Sequence, residues 1–363
     1  MDHRPVVVAL AGALSLFAIA FIGCDKGTGN GDATPASARQ VILDVSSKVI
    51  YATYVDLNTT ADTLLQAVNR LAQTPNAANL ALAQQAWRNT RIPWERSEGF
   101  LFGPVATIPV DAAIDTWPLN QADLDTILKS NVPLTKEYVD SLDFSLKGFH
   151  TLEYLLFGDS TNPNAIVRYP ANLTARQLEY LKAAAASLKS ETNILVQAWN
   201  PASGNFLGSF QSAGQGSTKY KSEEDALKEL LYSVINICDE VANEKMYHAF
   251  RFDPPDRNQE ESRFSNNSTT DFANNLRSVR NVYFCNYGSN SGQGLKALLQ
   301  AKNPALAGEV EAQIDSAINR TLAMGVFSED ILRAKDKIDS ASAKIRALRS
   351  TLMLRVAPAL GLE

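Results

Sequence analysis

From residue 38 onward, apolar residues recur at steps of three and four along most of the chain, and no alternating run of β-branched residues lasts long enough to compete. That period matches the 3.6-residue turn of a helix and predicts an all-α fold. The stretch ARQVILDVSSKVIYATYVDLNTTADTLLQAVNRLAQ sets Val41, Val45, Val49, Ala52 and Val55, then Leu64, Val68 and Leu71, on one expected face. Thr74-Pro75-Asn76 breaks it. The next pattern carries Leu80, Ala83, Ala86 and Trp87 and meets Pro93, whose missing N–H should kink or end the helix. Thr174 with Gln177 and Ser222 with Asp225 have the spacing of capping boxes, the first opening a helix that runs to Trp199. Helical patterns also cover 271–286, 304–323 and 328–353, whereas 103–120, with three prolines, reads as ordered loop.

A chain of 363 residues exceeds the usual single-domain size. The Gly/Ser-rich segment 200–220 divides it into an expected N-terminal helical bundle, 39–210, and a C-terminal one, 211–363. WERSEGF and EESRFS stand at similar places in the two halves, which points to internal duplication. The net charge of −5 and the lack of a basic stripe interleaved with aromatics exclude a nucleic-acid surface. Nothing in the sequence calls for more than a monomer.

The start of the chain carries Arg4, an apolar run from Val6 to Ile22 and Gly23 before Cys24. This is the pattern of a signal peptide, residues 1–23. Phe21-Ile22-Gly23-Cys24 resembles a bacterial lipobox, so Cys24 is the expected lipidation site, and 24–38 has the composition of a flexible tether. The expected location is that of an exported bacterial lipoprotein, held through its lipid at the periplasmic face of a membrane or at the outer membrane and cell surface. Cys238 and Cys285, 47 residues apart and in no zinc spacing, read as two buried thiols in preference to a disulfide.

Chemistry concentrates in two stretches. In KGFHTLEYLLFG, His150 and Glu153 lie at i and i+3, so their side chains leave one helix face about 5–6 Å apart at Cβ. An imidazole nitrogen beside a carboxylate oxygen suits iron, zinc or manganese, although two ligands are too few for a stable site. In WRNTRIPWERSEGFLF, Arg91, Trp94, Glu95, Ser97 and Glu98 are charged or polar residues among bulky apolar ones. Such a cluster is partly buried and needs partners or an ion. Glu95 and Glu98 could add oxygen ligands to His150 and Glu153 if the helix continues past Pro93. A metal-free alternative has His150, Glu153 and Arg91 forming a hydrogen-bond network under an organic-ligand pocket walled by Trp94 and Trp117.

AWRNTRIPWERSEGFLFGPV, AAIDTWPLN and GFHTLEYLLFG, in this order, resemble the imelysin family, whose Gly-x-His-x-x-Glu motif is matched by Gly148, His150 and Glu153. The resemblance continues through EVANEKM and EESRFSNNSTTDFANNLRSVRNVY and spans about residues 38–355. It implies two related helical bundles with a shared polar site where they meet, and adds Glu261, Ser262 and Ser265 to the expected ligand-binding residues. It also implies a role in iron acquisition beside an iron-transport membrane protein, with an iron ion favoured over zinc as the cofactor. A metallopeptidase is the enzymatic alternative, with no catalytic residue assignable. The residues favour binding over catalysis, because peptidase chemistry at zinc needs about three protein ligands and an open position.

Overall fold

A computed structural model describes residues 37–159 and 172–363. The expected signal peptide, the lipidation site Cys24 and most of the tether lie outside the described residues. The described residues belong to one compact unit, with apolar side chains of both halves in a single core cluster.

The fold is all-α. Its main helices are α1 (Ala38–Val45), α2 (Ala52–Gln73), α3 (Ala77–Glu95), α4 (Val110–Asp115), α5 (Gly148–Phe157), α6 (Ala175–Trp199), α7 (Glu223–Asp239), α8 (Ser268–Phe284), α9 (Pro304–Leu322) and α10 (Lys335–Thr351). The strands among the described residues are two short ones, Asn286–Tyr287 and Asn290–Ser291, paired antiparallel. Helix α2 packs on α3 and α6, and α5 closes that group; α7, α8, α9 and α10 form a second group. The groups interlock, since α1 leans on α7 and α3 lies against α8. The Gly/Ser-rich segment between them is itself anchored by buried Leu207, Phe210 and Tyr220.

Both capping boxes form, and α6 spans Ala175–Trp199 as its pattern requires. The long first pattern differs in one respect. A π turn, Ser46–Tyr51, joins α1 to α2. Its extra residue moves the buried face from Val49 to Tyr54 and Leu57, and Val55 is left exposed. Pro93 does not stop α3 at once: the helix runs to Glu95, and Glu98 opens a separate 3-10 turn, Glu98–Phe100. The proline-rich 103–120 contains two short helices, Pro104–Thr107 and α4, the first with its proline at the helix start where no N–H is missed. The pattern at 328–353 is split into Phe327–Arg333 and α10. Cys238 and Cys285 are buried free thiols.

Candidate functional site: a buried carboxylate, histidine and guanidinium centre

The apolar face of α3 becomes polar at its C-terminal end. Leu80, Ala83 and Trp87 lead directly to buried Arg91, Trp94 and Glu95. Arg91 is fully buried, and such a cation persists in a core only when carboxylates surround it. Its guanidinium pairs with Glu95 and Asp115, lies 3.1 Å from Glu261 and 3.6 Å from Asp271. Carboxylates from α4, from the segment before α8 and from α8 itself therefore join Glu95 on one side chain.

Asp115 reaches this point from the end of α4, and Gly148 explains how His150 meets it. Gly148 has φ of +75°, and a Cβ there would stand 2.3 Å from the Ile114 carbonyl oxygen and 2.8 Å from that of Ala113. Only glycine permits the first turn of α5 to lie so close to α4. The Trp87 indole, donating to the Phe149 carbonyl at 3.0 Å, fixes the same turn. His150 Nε2 then lies 3.1 Å from Asp115 Oδ1, a close but poorly aligned ion contact, and Nδ1 lies 3.2 Å from Glu153 Oε2. The other oxygen of Glu153 accepts from the backbone N–H and the hydroxyl of Ser265, at 2.8 and 2.7 Å. Asp115 is completed by the Trp94 indole N–H at 2.6 Å.

The opposite side of Arg91 is built from the second half of the chain. Lys245 ends the π turn Glu240–Lys245 that continues α7, and its ammonium lies 2.9 Å from both Glu98 and Glu261 and 4.0 Å from Glu95. Asn275 of α8 donates one amide nitrogen to Glu95, at 2.6 Å, and to Glu98. The 98–100 turn comes this close because Gly99 packs on Ser278, where a Cβ would meet the serine oxygen at 2.3 Å. Arg88, bonded to the Ser265 carbonyl and to Asn267, ties the 261–267 segment to α3.

Six carboxylates, Glu95, Glu98, Asp115, Glu153, Glu261 and Asp271, are thus buried around two permanent cations, Arg91 and Lys245. The electrostatics follow. Burial pulls the His150 pKa down, but the adjoining Asp115 and Glu153 carboxylates outweigh it and lift the value to about 9, which favours the imidazolium at neutral pH. Burial raises the Glu95 and Glu98 carboxyls well above the usual range; Arg91 and Lys245 oppose this, while neighbouring carboxylates add to it. Asp271 rises to about 6, chiefly by burial. Asp115 goes the other way: burial is overcome by Arg91 and His150, which hold it below the usual carboxylate range.

Beside this centre lies a cavity of about 330 Å³ lined by Glu98, Asp111, Asp115, Glu240, Lys245 and Trp117, among others. Its walls carry four acidic side chains and one ammonium. Among the described residues, the set of His, Cys, Asp and Glu donors able to hold one metal ion is Asp115, His150 and Glu261, whose donor atoms lie within 4.8 Å of one another.

The sequence-expected residues fare differently. His150, Glu153, Arg91, Glu95, Glu98 and Glu261 all join one network, although Glu95 and Glu98 meet through Asn275 and not along a shared helix. Trp117 lines the cavity; Trp94 is fully buried and instead supports Asp115. Ser97 turns its hydroxyl to the Trp94 carbonyl at 2.6 Å, away from the site. Ser262 is buried with its hydroxyl unpartnered, and Ser265 holds Glu153. Asp115, Lys245, Asp271 and Asn275 were not expected. The stripe Asp271, Asn274, Asn275 and Ser278, polar at helical steps within α8, was the available signal for two of them.

Fold and site together define an all-helical protein built around an ionised core. A profile of the imelysin family matches residues 50–354, and the chain belongs to that family. It is 31% identical over 326 residues, 88% of this chain and 86% of the relative, to Iron-regulated protein A of Synechococcus elongatus. A crystal structure from Parabacteroides distasonis, named as an iron-regulated protein A precursor, superimposes with a TM-score of 0.79 at 25% identity, over 91% of this chain and 97% of that one. An imelysin-like protein from Psychrobacter arcticum shares the fold, with a TM-score of 0.72 at 14% identity over 90% and 98% of the two chains.

Proposed function

We propose that this protein binds a metal cation, iron before zinc, at the buried centre, and that the cation enters from the acidic cavity. The observation that carries this reading is the excess of buried carboxylates over permanent cations: four negative charges with His150 neutral, three with it protonated. So much uncompensated charge is untenable in a low-dielectric core, and protons on His150, Glu95 and Glu98 relieve it. A di- or trivalent ion relieves it as well. The donors fit such an ion, since Asp115, His150 and Glu261 offer one nitrogen and two carboxylates, and Glu261 Oε2 has no partner. Bound there, the ion would supply the positive charge that His150 now holds as a proton and Arg91 supplies to Asp115 and Glu261.

Binding therefore competes with protons and strengthens as pH rises. The iron preference draws on the relative named Iron-regulated protein A, which supports reading the role as one in iron acquisition. Export, a lipid anchor at Cys24 and a membrane iron-transport partner belong to the same proposal. Elemental analysis and calorimetric titration with iron and zinc, on the wild type beside His150→Ala, Glu153→Ala and Asp115→Asn, test it. Binding by wild type that the three variants lose supports the site; equal binding by all four, or none, removes it.

A further inference from the structure

Helix α8 carries a second charged feature on a different side. Arg96, Arg277 and Arg280 line a recess of about 380 Å³ with Asn281, Asp315 and Ile318. Three guanidiniums face one carboxylate there. That carboxylate compensates little, because Arg280 Nε meets Asp315 at 3.4 Å with both side chains about half exposed. The other two are gathered by Asn274, whose amide oxygen accepts from Arg96 Nε at 3.0 Å and from Arg277 Nη1 at 3.2 Å. A neutral oxygen thus holds two like charges side by side. Burial first, and then the neighbouring Arg96, disfavour the charged form of Arg277. Arg280 lies over the Phe284 ring at 5.0 Å, which keeps it along the rim.

We propose that this recess is a binding site for a small multivalent oxyanion, a phosphate or a polycarboxylate, distinct from the carboxylate centre. Guanidinium forks match pairs of oxygens on such anions, and three of them around one volume exceed what a chloride or a single carboxylate requires. Asn274 is the positioning residue: it aims Arg96 and Arg277 without using the outer nitrogens of Arg96. Its neighbour Asn275 donates to Glu95 and Glu98 at the carboxylate centre, so consecutive residues of α8 serve the two sites. Asp315 competes with the anion for Arg280.

The test is calorimetric titration of the full-length protein with inorganic phosphate and, separately, with citrate, in a buffer free of other multivalent anions. Saturable binding of either is expected, weakened at least ~10-fold in Arg277→Ala and Arg280→Gln and several-fold tighter in Asp315→Asn, roughly as charge-assisted hydrogen bonds imply. Tighter phosphate names an inorganic or phosphoryl ligand; tighter citrate names a polycarboxylate. Arg280 is half exposed, so its variant reads the site even where Arg277→Ala does not fold. Absence of binding to both anions, or affinities unchanged in Arg280→Gln and Asp315→Asn, overturns the proposal. His150→Ala, which disables the carboxylate centre, should leave anion affinity unchanged, and this separates the two readings.

Discussion

The buried centre has two arms, and they balance charge in opposite ways. In the His150 arm, Asp115, His150 and Glu153 alternate in sign, each touching its opposite, and Asp115 is additionally paired with Arg91. In the Lys245 arm, Glu95, Glu98 and Glu261 crowd around one ammonium and the edge of Arg91. The first arm is a completed ion chain whose carboxylate is easily ionised. The second crowds carboxyls that burial pushes towards their neutral form. The same residue types at similar burial therefore do different work: one arm offers the donors Asp115 and His150, and the other adds Glu261 and gathers negative charge that a bound cation would offset.

Arg91 belongs to both arms, so removing it gives the largest effect. Arg91→Met should cost about 3–5 kcal/mol, because Asp115, Glu95 and Glu261 lose their shared partner while remaining buried. Urea unfolding followed by circular dichroism measures it; a loss below about 1 kcal/mol would mean that the arms are not joined through this residue. Gly148→Ala comes next, at about 3 kcal/mol, since it adds left-handed strain and a backbone clash between α5 and α4. It should also detach His150 from Asp115, visible as a fall in the histidine pKa by NMR.

The His150 arm can be read by pH. Its folded pKa, about 9, lies above the unfolded 6.5, so its contribution is fully present below pH 6.5 and fades as pH rises from 6.5 through 9. That contribution is roughly 3 kcal/mol, and His150→Asn should flatten stability across this window. In the Lys245 arm the sign of mutation reverses. Glu98→Gln replaces a carboxyl that burial already drives towards its neutral form, so stability should change by less than about 1 kcal/mol, or rise, while cation affinity drops. Equal destabilisation by Glu98→Gln and Asp115→Asn would erase the distinction between the arms.

How much of this was legible differs by residue. Helix positions followed from apolar spacing, and the π turn at 46–51 escaped because one inserted residue hides inside an otherwise regular pattern. Arg91 and Glu95 were legible, being i and i+4 on a face begun by Leu80 and Trp87. Asp115 was not: a lone aspartate in AAIDTW acquires its role only when Gly148 lets α5 approach α4. Lys245 resembled any solvated lysine of an amphipathic helix, and only the fold brings it under Glu98 and Glu261. Long-range convergence leaves no local spacing to read. The motif at 147–158 therefore gave half of an ion chain, and its other half lay 35 residues earlier, at Asp115.

The central claim is that the buried centre exchanges protons, those of His150 and of the Lys245 arm, for a cation. Calorimetric titration of iron into the protein at neutral pH, in two buffers of different ionisation enthalpy, measures the protons released on binding. The account predicts a net release of about one to three protons per ion, an affinity that increases with pH, and a smaller release in Glu98→Gln. Binding with no proton release, at an affinity that pH and Glu98→Gln leave unchanged, would contradict it.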